Sequence, residues 1–455
     1  MLLILSILLG LLCWLVLRRK PLDLFQPLNY ASWLFFLPEF VVPGIFLALT
    51  SVETETSILL HNRDAEASVA MAYALVGFCG LALGHSRRWF RIHATPPQLE
   101  LKASSLRTLC LVLLVLGMSA EFAAFSLGVV GYSFAVDIPV LSTSYLLFGQ
   151  LTLAANAIIW FAIFSGEQGW RFLGALSICC WLLEAAISSS RAAFLWPVLL
   201  LLATYQYAKP NVSLRRIVMR FSVPIVCALI VGLAFGTVYR RIKVEDLGRE
   251  AAIPSSDLAP ILSATWTELS SMSPSELAGL SLEVFLSRAD SVTNLAVIVR
   301  DHGKNLAAER AAGIDNNILW DAVDGFIPRF LWPSKPRAGG TEDIGYIYFG
   351  TVFNSPSVTY MGDLYRNFGG VGIFLGMFIL GVFLRSAYSW LIEGHVLTPL
   401  RVASFLFLIH AVNYEATISP LLPLVLRQIL LLWFILWLAK KIATKKVNPL
   451  VVAHA

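Results

Sequence analysis

Charged side chains are scarce in this sequence. Asp, Glu, Lys and Arg make up 14% of 455 residues, against roughly 25% in ordinary soluble domains. With 57% apolar residues and a mean hydropathy of +0.73, the chain has too little polar surface for a soluble body. Cysteine is equally thin. Cys13, Cys79, Cys110, Cys179, Cys180 and Cys227 all fall in apolar segments without Cys-x-x-Cys spacing, so neither a disulfide framework nor a zinc site is expected. Also missing are a Gly-rich nucleotide loop, Gly-x-Ser-x-Gly and His-Glu-x-x-His, which leaves ATP, nucleotide-sugar and metalloprotease chemistry unsupported. The formal charge is only +5, and the cations fall in short clusters between apolar runs. That pattern reads as membrane topology, with no nucleic-acid partner, metal or cofactor expected.

What is there is a series of apolar runs. A span needs about 20 residues, and eleven segments qualify, near 1–17, 31–51, 67–85, 108–130, 143–165, 171–188, 192–208, 221–239, 369–390, 399–418 and 420–439. Basic clusters recur at Arg18, Arg19 and Lys20, at Arg87, Arg88 and Arg91, at Arg215, Arg216 and Arg220, and at Lys440, Lys441, Lys445 and Lys446. Short basic loops stay cytoplasmic, which predicts an external N-terminus and a cytoplasmic C-terminus. The fold class expected is an all-α polytopic membrane protein with about 11 transmembrane helices. Its blocks are eight spans over 1–239, a large external loop over 240–368, three spans over 369–439 and a basic tail over 440–455.

Within the loop, "SELAGLSLEVFLSRADSVTNLAVIVRDHG" has apolar residues at helical spacing, with Ser275 and Glu276 near its start and Gly303 just past its end. It predicts one amphipathic helix. The segment after it, rich in Gly and Pro, reads as short helices and ordered turns at the membrane surface.

Cations gather at four places on this side: Arg191, Arg240 with Arg241, Arg288, and the stretch "IPRFLWPSKPR" holding Arg329, Lys335 and Arg337. Guanidinium groups match phosphate oxygens bidentately and gain strength where water is partly excluded, so a lipid-linked pyrophosphate is the natural ligand. The plainer alternatives are snorkelling for Arg191, boundary anchoring for Arg240 and Arg241, and a surface ion pair between Arg288 and Asp290. Arg329, between Pro328 and aromatic side chains, is the leading candidate. Among the loop carboxylates, Asp290, Asp324 and Asp363 are candidate general bases, and Trp332 and Tyr365 candidate substrate contacts. The ionisable residues inside spans are Glu39, Glu121, Glu184, His410, Glu415 and Arg427; Glu415 and Arg427 read as a structural pair, and a proton pathway built from Glu121, Glu184 and His410 supports a transporter or flippase as an alternative.

Taken together, "ISSSRAAFL", the long external loop, "IPRFLWPSKPR" and "SPSVTYMGDLYRNFGGVGIFLGMFILG" resemble the O-antigen or oligosaccharide repeat-unit polymerases of the Wzy type. The resemblance implies a GT-C-like glycosyltransferase of the bacterial inner membrane, whose external side, N-terminus and large 240–368 loop included, is periplasmic. It would transfer glycan from polyprenyl pyrophosphate to a second lipid-linked repeat unit at the periplasmic face, alongside a flippase and a chain-length regulator. Arg191, Arg288 and Arg329 best match the family's suspected pyrophosphate contacts. Where many relatives carry Glu in the late motif, this chain has Asp363. An O-antigen ligase is the nearest rival; its relatives place an important His in the large loop, and His302 is the only one here.

Overall fold

A computed structural model describes residues 1–19, 22–50, 57–87, 89, 92, 101–127, 142–188, 192–210, 212–247, 255–324, 327, 331–332, 339–350 and 357–444. The described residues form helices and turns, with no β-strand among them. In chain order the α-helices are α1 (Leu2–Leu17), α2 (Pro27–Ala31), α3 (Val42–Leu49), α4 (Arg63–Ser86), α5 (Ala103–Ser126), α6 (Ser142–Gly149), α7 (Leu151–Ser165), α8 (Arg171–Ser188) and α9 (Ala192–Ala208). They continue with α10 (Leu214–Leu247), α11 (Ser255–Ser271), α12 (Pro274–Ala289), α13 (Ser291–Ala312), α14 (Asn317–Asp324), α15 (Thr341–Phe349), α16 (Thr359–Leu391), α17 (Pro399–His410) and α18 (Leu421–Thr444). A π-helix over Ser32–Val41, with Pro38 inside it, joins α2 to α3.

Each apolar segment read from the sequence contains a helix, because only helical hydrogen bonding satisfies an isolated backbone in hydrocarbon. Among the described residues, seven stretches are long and apolar enough to cross a membrane: Pro27–Leu49, Arg63–Ser86, Ala103–Ser126, Leu147–Ser165, Arg215–Leu247, Thr359–Leu391 and Leu421–Ala443. Leu2–Leu17, Phe194–Ala208 and Pro399–His410 are apolar but shorter. The chain is a multi-pass α-helical membrane protein.

It forms two compact units that cut across the sequence blocks. One contains Met1–His93, Leu282–Glu393 and His410–Val425; the other contains Ala94–Ser281, Gly394–Ile409 and Leu426–Ala455. In the first, α4 packs closely on α16. A Cβ at Gly80 would lie 2.5 Å from the Phe374 carbonyl oxygen, one at Gly84 would collide with the Phe378 carbonyl, and one at Gly381 with that of Leu81. Missing side chains thus allow the close helix approach that packs membrane helices. The second unit has a core of Phe125, Ile187, Val238, Tyr239, Ile242 and Ile261.

The single amphipathic helix predicted over 275–303 is two helices. Asp290 interrupts it: Oδ1 accepts from the Thr293 backbone N–H at 3.0 Å and Oδ2 from the Thr293 hydroxyl at 2.7 Å, making Asp290 the N-cap of α13. The helix then passes Gly303 and ends at Gly313, whose φ of 70° is the left-handed stop that glycine adopts without strain. Its first two turns, Ser291–Ile298, are buried on all sides, so this part is a core helix. The start of α12 follows the sequence more closely: Glu276 Oε2 accepts from Ser273 N at 2.7 Å, and the Ser273 hydroxyl accepts from Glu276 N at 3.3 Å.

Candidate functional site: a buried ion cluster at the mouth of a span

The motif "GDLYRNFGG" opens α16, and its backbone explains why polar and apolar stretches can share one helix. Gly369 has φ 66° and ψ −163°, a non-helical geometry that only glycine adopts readily. Before this kink lie Asp363, Arg366 and Asn367; after it runs the apolar "GVGIFLGMFILG". The polar turn is therefore held at the mouth of a span.

Arg366 is the centre of the cluster. Its Nε donates to Glu309 Oε1 at 2.6 Å, its Nη1 to Asp363 Oδ1 at 3.1 Å and its Nη2 to the Ile314 carbonyl at 3.0 Å. The three charged side chains are at most 1% exposed. One guanidinium faces two carboxylates, an excess of negative charge that burial makes costly. Neutral donors offset it. The Tyr348 hydroxyl donates to Glu309 Oε1 at 2.6 Å, the Asn367 amide to Asp363 Oδ1 at 3.2 Å, and Ser419 N to Asp363 Oδ2 at 3.1 Å. Burial, reinforced by the Glu309 carboxylate, pushes the Tyr348 phenol well above its ordinary value, so it stays a donor at neutral pH.

α14 supplies the next layer. Asn317, Asp321 and Asp324 form its buried face. Asn317 Oδ1 accepts from Asn367 Nδ2 at 2.9 Å, Asn317 Nδ2 donates to the Ser419 hydroxyl at 3.2 Å, and Asp321 Oδ2 accepts from Gly339 N at 2.8 Å. The polar layer thus joins α13, α14, α15, α16 and the turn before α18.

His302 extends the chain outward. Its Nδ1 lies 3.3 Å from the Tyr348 hydroxyl oxygen. Because that hydroxyl gives its proton to Glu309, the oxygen accepts from His302 Nδ1–H. Tyr365 meets His302 edge-on at 5.9 Å and Tyr73 at 5.2 Å.

Of the predicted residues, Asp363, Asp324 and Tyr365 belong to the elements that meet here. Asp290 lies at the opposite end of α13 from Glu309, spent as a helix cap on Thr293. Arg288 is exposed in the last turn of α12, and Trp332 is exposed. In the other unit, Arg240 is part-buried on α10, and Arg241 pairs with Glu268 of α11. Arg191, Arg329, Lys335 and Arg337 lie outside the described residues. Sequence reasoning missed Arg366, Glu309, Tyr348 and Asn367 as site residues. Asp363 and Arg366 at i, i+3 were a readable helix pair; Glu309 and Tyr348 carried no local signal.

No protein-family model, curated protein or solved structure matches the chain.

Proposed function

We propose that this protein is a glycosyltransferase that polymerises polyprenyl-pyrophosphate-linked oligosaccharide repeat units, building O-antigen or exopolysaccharide at the periplasmic face of a bacterial inner membrane. The observation that carries the reading is the cluster around Asp363 and Arg366, a carboxylate-rich polar centre fixed where α16 turns apolar. A substrate with a polar sugar-pyrophosphate head and a long apolar tail matches that boundary. The finer architecture, eleven spans in a GT-C-like arrangement with the 240–368 block periplasmic, belongs to the same proposal.

In such a transfer the pyrophosphate is already a good leaving group, so the protein must align the acceptor hydroxyl, accept its proton and stabilise departing charge. Asp363 is held by three donors and Arg366 by two carboxylates, which suits them to positioning. Asp324, at the end of α14 and next in the chain to the cationic 325–340 segment, is the assigned proton acceptor. Arg288, Arg329, Lys335 and Arg337 are the proposed pyrophosphate contacts; Trp332 and Tyr365 are the proposed sugar contacts.

A second reading, an O-antigen ligase passing finished glycan to another lipid, is favoured by the His302–Tyr348–Glu309 chain. That chain orients an imidazole beside two tyrosine rings. Gel analysis of surface polysaccharide from a strain lacking the gene separates the readings. Lipid carrying one repeat unit supports the polymerase, absence of any glycan-capped lipid supports the ligase, and lipid-linked units trapped in the cytoplasm point to a flippase.

A further inference from the structure

α14 is amphipathic in the sense opposite to a helix on a soluble protein. Its buried stripe is Asn317, Asp321 and Asp324, while Leu319, Trp320 and Val323 are 57%, 67% and 65% exposed. The helix cannot roll over to hide them. Four hydrogen bonds pin the polar side: Asn317 to Ser419 and Asn367, Ile318 N to Asn367 Oδ1 at 3.2 Å, and Asp321 to Gly339 N. Among the described residues just beyond it, Ile327, Leu331 and Trp332 are exposed.

Contiguous exposed apolar surface marks a contact with something apolar, and a neighbouring row of side chains identifies what. Asn367, which receives α14, directly precedes Phe368. Phe368 is exposed just before the Gly369 kink, and beyond it Val371, Leu375 and Ile379 form an exposed stripe at helical spacing along α16, a helix long and apolar enough to cross a membrane. The outward face of α14 is therefore anchored beside the kink from which this exposed apolar stripe of a span-length helix runs. Its exposed side chains are all uncharged, and Trp320 has the flat, amphipathic ring that settles at membrane–water interfaces.

We infer that the outer face of α14 is a membrane-docking surface, occupied by bilayer lipid at the boundary between headgroups and acyl chains. Docking gives the inner face a fixed level. Asn317 and Asp321 then lie about one helix diameter, roughly 10 Å, from the acyl chains. The inference concerns a surface and stands whether or not the proposed sugar chemistry does.

The test uses the full chain in lipid nanodiscs, comparing wild type with Trp320→Phe so that the difference spectrum isolates Trp320 emission from the other tryptophans. Nanodiscs are prepared with phospholipids brominated near the glycerol end of the acyl chain, or near its methyl end. The expected result is loss of Trp320 emission with the shallow bromine, a smaller loss with the deep one, and little effect of aqueous acrylamide. Strong acrylamide quenching without bromolipid quenching would place the face in water and overturn the inference. Protection from both quenchers would mean a protein partner or second copy covers it, and would overturn it equally. Should Trp320→Phe fold poorly, Trp320→Tyr supplies the same difference spectrum with a ring that keeps a polar edge, and absence of shallow quenching in that difference counts against lipid contact.

Discussion

Arg366 and Glu309, on different helices and 57 residues apart in sequence, share a 2.6 Å charge-assisted hydrogen bond in which both side chains are 1% exposed. The pair joins the C-terminal end of α13 to the start of α16, and Arg366 also reaches the Ile314 carbonyl just past α13. Removing Arg366 leaves two buried carboxylates without their counterion, whereas removing Glu309 leaves Arg366 paired with Asp363.

Arg366→Ala should therefore cost about 3–5 kcal/mol, the range for breaking a buried ion pair on one side. Thermal unfolding of the detergent-purified protein is the check. Arg366→Lys keeps the charge but loses the planar fork, and should fall between wild type and alanine. Equal stability for all three would show that the cluster does not hold the helices together.

Asp290 separates capping from catalysis. As the N-cap of α13 it should cost about 1 kcal/mol when changed to alanine, whereas asparagine, a good cap, should restore most of that. If glycan elongation is lost in Asp290→Asn while its melting temperature stays near wild type, the residue acts in chemistry after all.

A clasp on the same unit predicts acid sensitivity. Arg300 Nε donates to Asp301 at 3.0 Å and its Nη1 to Glu66 at 2.9 Å and to the Leu59 carbonyl at 2.7 Å. The Arg300 hydrogen bond holds the Asp301 carboxyl below its ordinary value of 3.8. A depressed carboxylate stabilises the fold at pH above its unfolded value, and that contribution fades as pH drops through and below 3.8. Asp301→Asn should thus lower the melting temperature at neutral pH and flatten its fall in acid. Parallel curves for variant and wild type would remove Asp301 from the account.

The α4–α16 crossing should be intolerant of added atoms. Gly84→Ala places a methyl against the Phe378 backbone, and relief requires the helices to move apart, at a cost of about 1–3 kcal/mol. Gly303→Ala, on α13, meets nothing within 4 Å and should be neutral or mildly stabilising. Unfolding temperatures of the two variants give the comparison.

Hydropathy made the helices legible, since each apolar segment had to close its own hydrogen bonds. The break at Asp290 was hidden because apolar periodicity runs straight through it, although Asp290 followed by Thr293 is a capping signal that local chemistry offers. Asp363 and Tyr365 were legible from their motif. Arg366 stood in the same motif but gained its role from Glu309 and Tyr348, partners brought by the fold from α13 and α15. Spacing along the chain cannot encode such contacts. The inward polar face of α14 was likewise hidden, since a sequence stripe does not say which side turns inward.

The most direct measurement takes membrane vesicles from the deletion strain, which retain its own lipid-linked repeat units, adds purified protein, and follows glycan length by gel electrophoresis. Wild type should convert single units into a ladder, with Asp324→Asn and Arg366→Lys giving little or none. Vesicles whose units stay single with well-folded wild-type protein, or a full ladder from both variants, would contradict the account.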